Sequence, residues 1–360
     1  MSKSQILHEN VYCELIVTTK CNLSCKYCIA HDLAPMSMSL ECGKKAIELF
    51  VYLGYGATTI EFIITGGEPL LNFGVIRQLV PYAEEISRKN NMSPFFVLKT
   101  NGVLIDYNVI DLCIKYNIKV VVSIDGLKKF HDSFRVTAQE HSSHSQVVSS
   151  IKMLKENCVK ISASLTVHPL HANHIMENIN FLSKLGIDEI DIGPVYGTVH
   201  WRKNQIDAFI NSLRLCASYI RKVNKNKFFE VSPINHQSEH IDNKLKDNWG
   251  CKAGVNNLAF LPNGNIAGCS SLAMLSPKKP TTIIGNVESG VDESLLSAML
   301  NYTQATRDER LYCNECETKN NCAGGCVAIN LSSTASPLIP PDFYCEIIST
   351  IPQCWEIAWG

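Results

Sequence analysis

Short apolar runs alternate with longer amphipathic ones through the first half of the chain. The short runs are rich in β-branched residues. They predict strands at Cys13–Thr18, Thr59–Thr65, Phe95–Thr100, Lys119–Ile124, Lys160–Val167 and Glu189–Pro194. Between them, apolar residues recur at three- and four-residue spacing, as in Ile175, Ile179 and Leu182. That period predicts helices at Leu40–Leu53, Val75–Arg88, Tyr107–Tyr116, Gln146–Glu156 and Ile175–Leu185. Such alternation implies a parallel sheet with helices packed outside it. Six units of this kind predict an α/β fold, an open, partial (β/α)6 TIM-like barrel. Functional groups are then expected at the C-terminal ends of its strands.

A further helix is predicted over Lys203–Val223, and the polar run Asn235–Asn248 marks a boundary. The expected organisation is a barrel with its trailing helix over 1–234, a linker over 235–250 and a second domain over 251–360. The last part is rich in Gly, Pro, Asn and Cys and poor in long periodic segments. It is expected to be loop-rich and, with little core of its own, to need staples. Within it, Leu258–Leu261 and Ile266–Cys269 flank Pro262-Asn263-Gly264-Asn265, a hairpin whose Asn-Gly turn tolerates positive φ.

Composition narrows the class. The chain of 360 residues is 46% hydrophobic and 19% charged, with a net charge of -1, which disfavours a nucleic-acid partner. Met1–Asn10 lacks the apolar core of a signal peptide, and no uncharged apolar run is long enough to span a membrane. A soluble, cytoplasmic protein with no membrane partner is expected. Its 16 cysteines then need a role other than disulfides, because the cytosol keeps thiols reduced. Cys42, Cys113, Cys158 and Cys216 stand alone and are expected to be core thiols, with Cys13 and Cys354 equally inert. The other cysteines fall into two dense groups.

Cys21, Cys25 and Cys28 have the spacing C-x3-C-x2-C and follow the first strand. Three thiolates so close can wrap one metal site. Zinc would want a fourth ligand, for which His31 is near enough. A 4Fe-4S cluster would keep one iron open for a substrate. Other motifs end the next strands: Gly66-Gly67-Glu68-Pro69, Lys99-Thr100-Asn101-Gly102 and Ser123-Ile124-Asp125-Gly126. Glycines let backbone approach a ligand closely, and short polar side chains suit hydroxyl and carboxylate groups. Turn formation and capping are the plainer uses of the same residues.

Together these motifs resemble the radical S-adenosylmethionine (SAM) superfamily. The resemblance implies that Cys21, Cys25 and Cys28 hold a 4Fe-4S cluster whose open iron chelates the amino and carboxylate groups of S-adenosylmethionine. The reduced cluster then breaks the sulfonium C–S bond, and a 5'-deoxyadenosyl radical takes hydrogen from the substrate. Gly66, Gly67, Glu68 and Pro69 match the family's GGEP motif, with Glu68 suited to the methionine ammonium. Asn101, Ser123 and Asp125 match positions facing the ribose hydroxyls and the methionyl carboxylate. Arg135 ends a stretch, His131–Arg135, similar to one in peptide-modifying relatives, where it would serve the carboxylate or an ion pair. Ile192 stands where relatives offer backbone to the adenine.

The second group comprises Cys251, Cys269, Cys313, Cys316, Cys322, Cys326 and Cys345, and resembles the seven-cysteine SPASM domain. The resemblance implies two auxiliary clusters, hence three 4Fe-4S clusters in all. Cys313, Cys316, Cys322 and Cys345 would hold one, and Cys251, Cys269 and Cys326 the other. The fourth site of the latter would be open, or filled by Asp247, a water or a substrate thiolate. Two zinc sites are the alternative for such C-x2-C spacing. The chain departs from its relatives at Glu140–Gln146, where His141 and His144 replace a glycine-rich turn.

This pair of domains implies a maturase that oxidatively modifies a ribosomally synthesised precursor peptide, by cross-link, thioether, epimerisation or excision. An electron donor such as flavodoxin or ferredoxin is implied too. A sulfatase-maturing enzyme is the second reading. Against it, Ser270 follows Cys269 where an acid is usual, and Thr65 precedes the GGEP motif where Gln is usual. A non-catalytic iron–sulfur or zinc-binding module is the alternative from another class. With strand one starting by about Cys13, no N-terminal winged-helix domain is expected. Leader recognition would then fall to a separate small protein or to the barrel and tail surfaces.

Overall fold

A computed structural model describes residues 8–224, 229–235, 251–306, 308–316 and 325–360. Most of the expected linker, with Asp247, and the expected ligand Cys322 lie outside the described residues. In chain order the first elements are β1 (Asn10–Thr18), α1 (Leu40–Leu53), β2 (Thr59–Gly66), α2 (Phe73–Lys89), β3 (Ser93–Thr100), α3 (Tyr107–Lys115) and β4 (Lys119–Ser123). There follow α4 (Lys128–Phe134), α5 (His144–Glu156), β5 (Ile161–Val167), α6 (Ile175–Lys184), β6 (Glu189–Pro194), α7 (Lys203–Val223) and β7 (Glu230–Ser232). The C-terminal region adds β8 (Asn257–Phe260), β9 (Asn265–Ala267), α8 (Ser270–Leu275), β10 (Ile283–Asn286), β11 (Gly290–Val291) and α9 (Glu293–Thr303). It ends in α10 (Val327–Ser333), α11 (Asp342–Ser349) and α12 (Ile351–Trp359). The six expected strands and the helices between them are all present, which is the predicted α/β alternation.

The chain packs as two compact units. The first takes residues 1–122, 135–161 and 252–301, and the second 123–134, 162–251 and 302–360. In the first unit the strand order is β11-β10-β9-β8-β1-β2-β3-β4. β1 to β4 run parallel. β8 joins the other edge of β1, also in parallel, with Tyr12 opposite Asn257 and Leu15 opposite Phe260. Part of the C-terminal region thus extends the first sheet. One face of the sheet carries Leu15, Val17, Phe62, Ile64 and Phe96 onto Ile76, Leu79, Val80 and Ala83 of α2. Ser39 starts α1 by accepting from the Cys42 amide, and Asp106 starts α3 by accepting from the Val109 amide. The Asn-Gly hairpin forms as expected between β8 and β9, with Gly264 at φ +83.

The second unit holds the parallel strands β5-β6-β7. There α7 packs on α6 and α12. Trp201 stacks on Phe343 at 5.7 Å and donates its indole N–H to the Val195 carbonyl, while Lys203 pairs with Glu346. The C-terminal region is more helical than the sequence pattern implied. Phe343, Ile347, Ile351, Cys354 and Ala358 are all buried and form one apolar stripe. Pro352 and a break at Thr350 split that stripe over two short helices, which hides its period.

Cys13, Cys113, Cys216 and Cys354 are buried, as expected. Burial pushes the Cys113 thiol up to about 12 and the Cys354 thiol to about 11. Cys42 is only half-buried, and Cys158 is exposed, which corrects the core assignment for both. Cys158 sits just past α5 at φ +55, the left-handed position that ends a helix at the surface. Among the described residues no helix is long and apolar enough to cross a membrane.

Candidate functional site

The cysteine loop leaves the C-terminal end of β1 and is pinned at both ends. Thr18 Oγ1 donates to the Met36 carbonyl at 2.7 Å and Thr19 Oγ1 to the Ala34 carbonyl at 2.6 Å. Leu23 is buried, and the Ser24 amide donates to the Val136 carbonyl at 2.7 Å. Ile29, Ala30 and Leu33 pack on a core of Ile16, Ala259, Leu261, Ala267, Ala273 and Met274. The loop therefore hangs on apolar anchors while its cysteines stay near the surface: Cys21 and Cys28 are exposed and Cys25 is half-buried. Backbone amides face two of the sulfurs, Leu23 N–H to Cys21 Sγ at 3.4 Å and Ala30 N–H to Cys28 Sγ at 3.4 Å. Such bonds favour the thiolate that an iron–sulfur cluster requires.

Partial burial raises the Cys21 thiol above its usual range. The Leu23 amide opposes that rise, and the charges of Glu68 and Cys28 add to it. His31, the alternative fourth ligand, lies with Nε2 3.1 Å from the Cys25 carbonyl oxygen, which commits that nitrogen to donate a hydrogen bond. The donor set fits a cluster held by three thiolates.

Gly66 and Gly67 stand against the loop. A Cβ on Gly66 would meet the Thr18 carbonyl oxygen at 2.1 Å, and one on Gly67 the Lys20 carbonyl oxygen at 2.3 Å. The close approach that these glycines permit is that of the cysteine loop's own backbone. It is sealed by the Gly67 amide on Thr18 O and the Glu68 amide on Lys20 O, both at 2.8 Å. Pro69 then opens a 3-10 turn, Pro69–Asn72, in which the Glu68 side chain caps the Leu70 amide.

Glu68 is fully buried. Its Oε1 accepts from Thr100 Oγ1 at 2.7 Å and from the Leu70 amide at 3.0 Å, and its Oε2 accepts from the Asn101 amide at 2.7 Å. Burial raises its pKa above the usual carboxylate range, and these three donors oppose that rise. Asn101 in turn reaches the loop. Its Nδ2 donates to Asn22 Oδ1 at 2.8 Å and lies 3.9 Å from Cys21 Sγ, while its Oδ1 accepts from the Val103 amide. The ends of β1, β2 and β3 are thus one hydrogen-bonded assembly. Thr100 and Asn22 belong to it and are not among the expected site residues: Thr100, the last residue of β3, enters there only as part of the Lys99–Gly102 motif, and a lone Asn in a loop carries no pattern. Arg135, in the same unit, is buried with its guanidinium 5.5 Å above the Tyr27 ring of the loop.

Ser123, Asp125 and Ile192 belong to the second unit. Ser123 ends β4 and is half-buried. Asp125 is buried; its Oδ1 accepts from the Thr166 amide at 3.1 Å, and its amide donates to Nδ1 of the buried His131 at 3.3 Å. Gly126 has φ +91, and a Cβ there would strike Asn178, which accepts from the Leu127 amide. Ile192 is a buried residue of β6, opposite Leu165. Beside this strand-end cluster, His168, His171 and His174 stack with Phe130 and Phe134, and Phe134 and His168 lie 4.1 Å apart. Burial lowers His168 to about 4 and also lowers His171.

Cys269 lies in the first unit; its Sγ accepts from the Leu272 amide at 3.4 Å at the start of α8. Cys251, Cys313, Cys316, Cys326 and Cys345 lie in the second. Cys316 and Cys345 are exposed, the other three half-buried. Cys326 precedes α10, where burial pushes its thiol up and the amides of Ile329 and Ala328 work the other way. Among the described residues no three or more His, Cys, Asp or Glu side chains come together as a single-ion cage. His141 is exposed and His144 buried at the start of α5.

Residues 15–197 match the family model described as the radical SAM superfamily, and the chain belongs to that superfamily. It is a radical SAM enzyme, which implies S-adenosylmethionine and a 4Fe-4S cluster. Its relatives place it in the SPASM group. An uncharacterized protein of Methanocaldococcus jannaschii is 29% identical over 257 residues, 70% of this chain and 87% of that protein. A cysteine-type anaerobic sulfatase-maturating enzyme of Clostridium novyi is 25% identical over 173 residues, 46% of each chain. Among solved structures, native anSMEcpe with bound AdoMet superposes with a TM-score of 0.80 at 17% identity, covering 97% of this chain and 99% of that one. The same protein is also solved with AdoMet and the Cp18Cys peptide.

Proposed function

We propose that this enzyme cleaves S-adenosylmethionine reductively and oxidatively modifies a ribosomally made peptide. The observation that carries this reading is the strand-end assembly of the first unit. There the cysteine loop, Gly66-Gly67-Glu68 and Asn101 are locked together by hydrogen bonds of 2.7 to 2.8 Å. Cys21, Cys25 and Cys28 would hold the SAM-binding cluster. When bound, that cluster and S-adenosylmethionine supply a carbon radical able to take a hydrogen atom from an unactivated position. The chain's own work is positioning. Gly66, Gly67 and Pro69 fix the loop's backbone. Glu68 Oε2 accepts only the Asn101 amide among the described residues, which leaves it a second acceptor position for an ammonium. The family's pattern would give Asn101, Ser123, Asp125 and Arg135 the remaining polar contacts to the cofactor, and Ile192 a backbone contact.

The SPASM-type cysteines Cys251, Cys269, Cys313, Cys316, Cys322, Cys326 and Cys345 would hold two auxiliary clusters. A flavodoxin or ferredoxin would feed electrons in a cytoplasmic setting, and a separate small protein would present the leader. The peptide bound to anSMEcpe and the maturating activity named for the Clostridium relative support a peptide substrate. Anaerobic incubation of the reconstituted enzyme with S-adenosylmethionine and dithionite is expected to yield 5'-deoxyadenosine, and the co-encoded precursor peptide is expected to change mass. Absence of 5'-deoxyadenosine with the precursor present would sink the reading.

A further inference from the structure

The face of the first unit's sheet turned away from α2 carries a second polar site, centred on Glu14. Glu14 is 4% exposed in mid-β1. Side chains two apart on a strand share a face, so Tyr12, Glu14 and Ile16 project together, opposite to Leu15 and Val17. Parallel pairing sets Asn257 and Glu61 on either side of Tyr12, and Phe95 beside Glu61. Ile16 closes one end of this face with the apolar core under the cysteine loop. The other end is a rim of Tyr12, Glu61 and Phe95, the last of them 53% exposed.

Glu14 is held by one oxygen only. Its Oε1 accepts from Asn257 Nδ2 at 2.7 Å and from the Ser270 amide, next to Cys269, at 3.2 Å. Among the described residues no donor reaches its Oε2. Nor does any reach Oδ1 of Asn257, a buried atom. The cation nearest in chemistry is committed: Lys252 Nζ donates to Tyr12 OH at 3.1 Å and lies 4.3 Å from the Tyr12 ring. Lys99, Lys119 and Lys252 act on Glu61, which burial raises and their charges lower. One buried acceptor lacking a donor, Asn257 Oδ1, costs free energy unless a donor arrives, and the hydrogen bond it shares with Glu14 orients it beside the second carboxylate oxygen.

We propose that Glu14 and Asn257 form a binding subsite for an N–H group of a peptide ligand, amide or ammonium, on the face of the sheet beside Cys269. The choice of a peptide rests on the function proposed above; the need for a donor rests on the buried Asn257 Oδ1, with Glu14 Oε2 beside it. Crystals of the anaerobic holoenzyme grown with propionamide, with ethylammonium chloride or with sodium chloride test it. The expected result is a probe nitrogen about 2.7–3.2 Å from both Glu14 Oε2 and Asn257 Oδ1 with at least one of the two probes. Propionamide assigns the site to an amide and ethylammonium to an ammonium.

Glu14→Gln keeps the acceptor for Asn257 and Ser270 but puts an NH2 where the second oxygen was. It should weaken probe binding about tenfold or more, as should Asn257→Ala. Circular dichroism and iron content serve as folding controls for both variants. Ordered water only, with either probe, overturns the proposal; so does equal probe binding by both variants, which marks an adventitious additive only. Neither outcome bears on 5'-deoxyadenosine formation, which tests the proposed function separately.

Discussion

Replacing Gly67 by Ala probes how tightly the cysteine loop is fitted. The added methyl would lie 2.3 Å from the Lys20 carbonyl oxygen and 2.7 Å from the Thr19 carbonyl oxygen, both backbone atoms. Relaxed contacts of this kind need about 3.5 Å, so the loop must retreat by roughly 1 Å. That retreat breaks the Glu68 amide bond to Lys20 O and strains the Gly67 amide bond to Thr18 O, each now 2.8 Å. Two backbone bonds at about 1 kcal/mol each, plus groups left unpaired, make a loss of about 2–4 kcal/mol. A shift of about 1 Å in a positioning element also costs on the order of a hundredfold in rate.

Gly74 supplies the control. It is the second residue of α2, and a Cβ there meets nothing within 4 Å. Gly74→Ala should stabilise by about 0.5–1 kcal/mol through the unfolded chain. Urea unfolding followed by circular dichroism, with 5'-deoxyadenosine quantified on the same preparations, separates the two. If Gly67→Ala unfolds at the same urea concentration as wild type and forms 5'-deoxyadenosine at the wild-type rate, the loop is not held by this contact and the reasoning fails.

Other outcomes follow from the same geometry. Cys28→Ser should abolish 5'-deoxyadenosine formation while the far-UV spectrum stays unchanged, since Cys28 is an exposed loop residue; turnover retained above a tenth of wild type would contradict the cluster assignment. Glu68→Gln must set an NH2 group against one of three donors in a fully buried site, and should cost about 1–3 kcal/mol at pH 7, read as a lower urea midpoint. His168 is lowered to about 4 in the fold from 6.5, so the fold binds its proton less readily than the unfolded chain does. Its contribution is present above about pH 6.5 and is lost as pH falls towards 4; His168→Asn should flatten the drop in urea midpoint between pH 7 and pH 4.5, and an unchanged drop would count against it.

Much of the candidate site was legible because strand ends and motifs coincide. Cys21 and Asn101 follow β1 and β3 and Gly66 ends β2, and periodicity alone located those strands to within three residues. What stayed illegible was the use to which the motif residues are put. Gly66 and Gly67 look like room for a ligand, yet the atoms that fill the room belong to Thr18 and Lys20. Glu68 reads as a cofactor contact, yet most of its acceptor capacity binds Leu70, Thr100 and Asn101. Apart from the bond to Leu70, these contacts join residues 32 or more positions apart, which no local period records. The same holds for β8, whose parallel pairing with β1 brings Asn257 to Glu14 across 243 positions. A loop proposed to hold a cluster beside a charged cofactor gains when its order does not depend on those groups. Spending Glu68 and Asn101 on the loop gives it that order beforehand, so ligand binding need not organise the backbone.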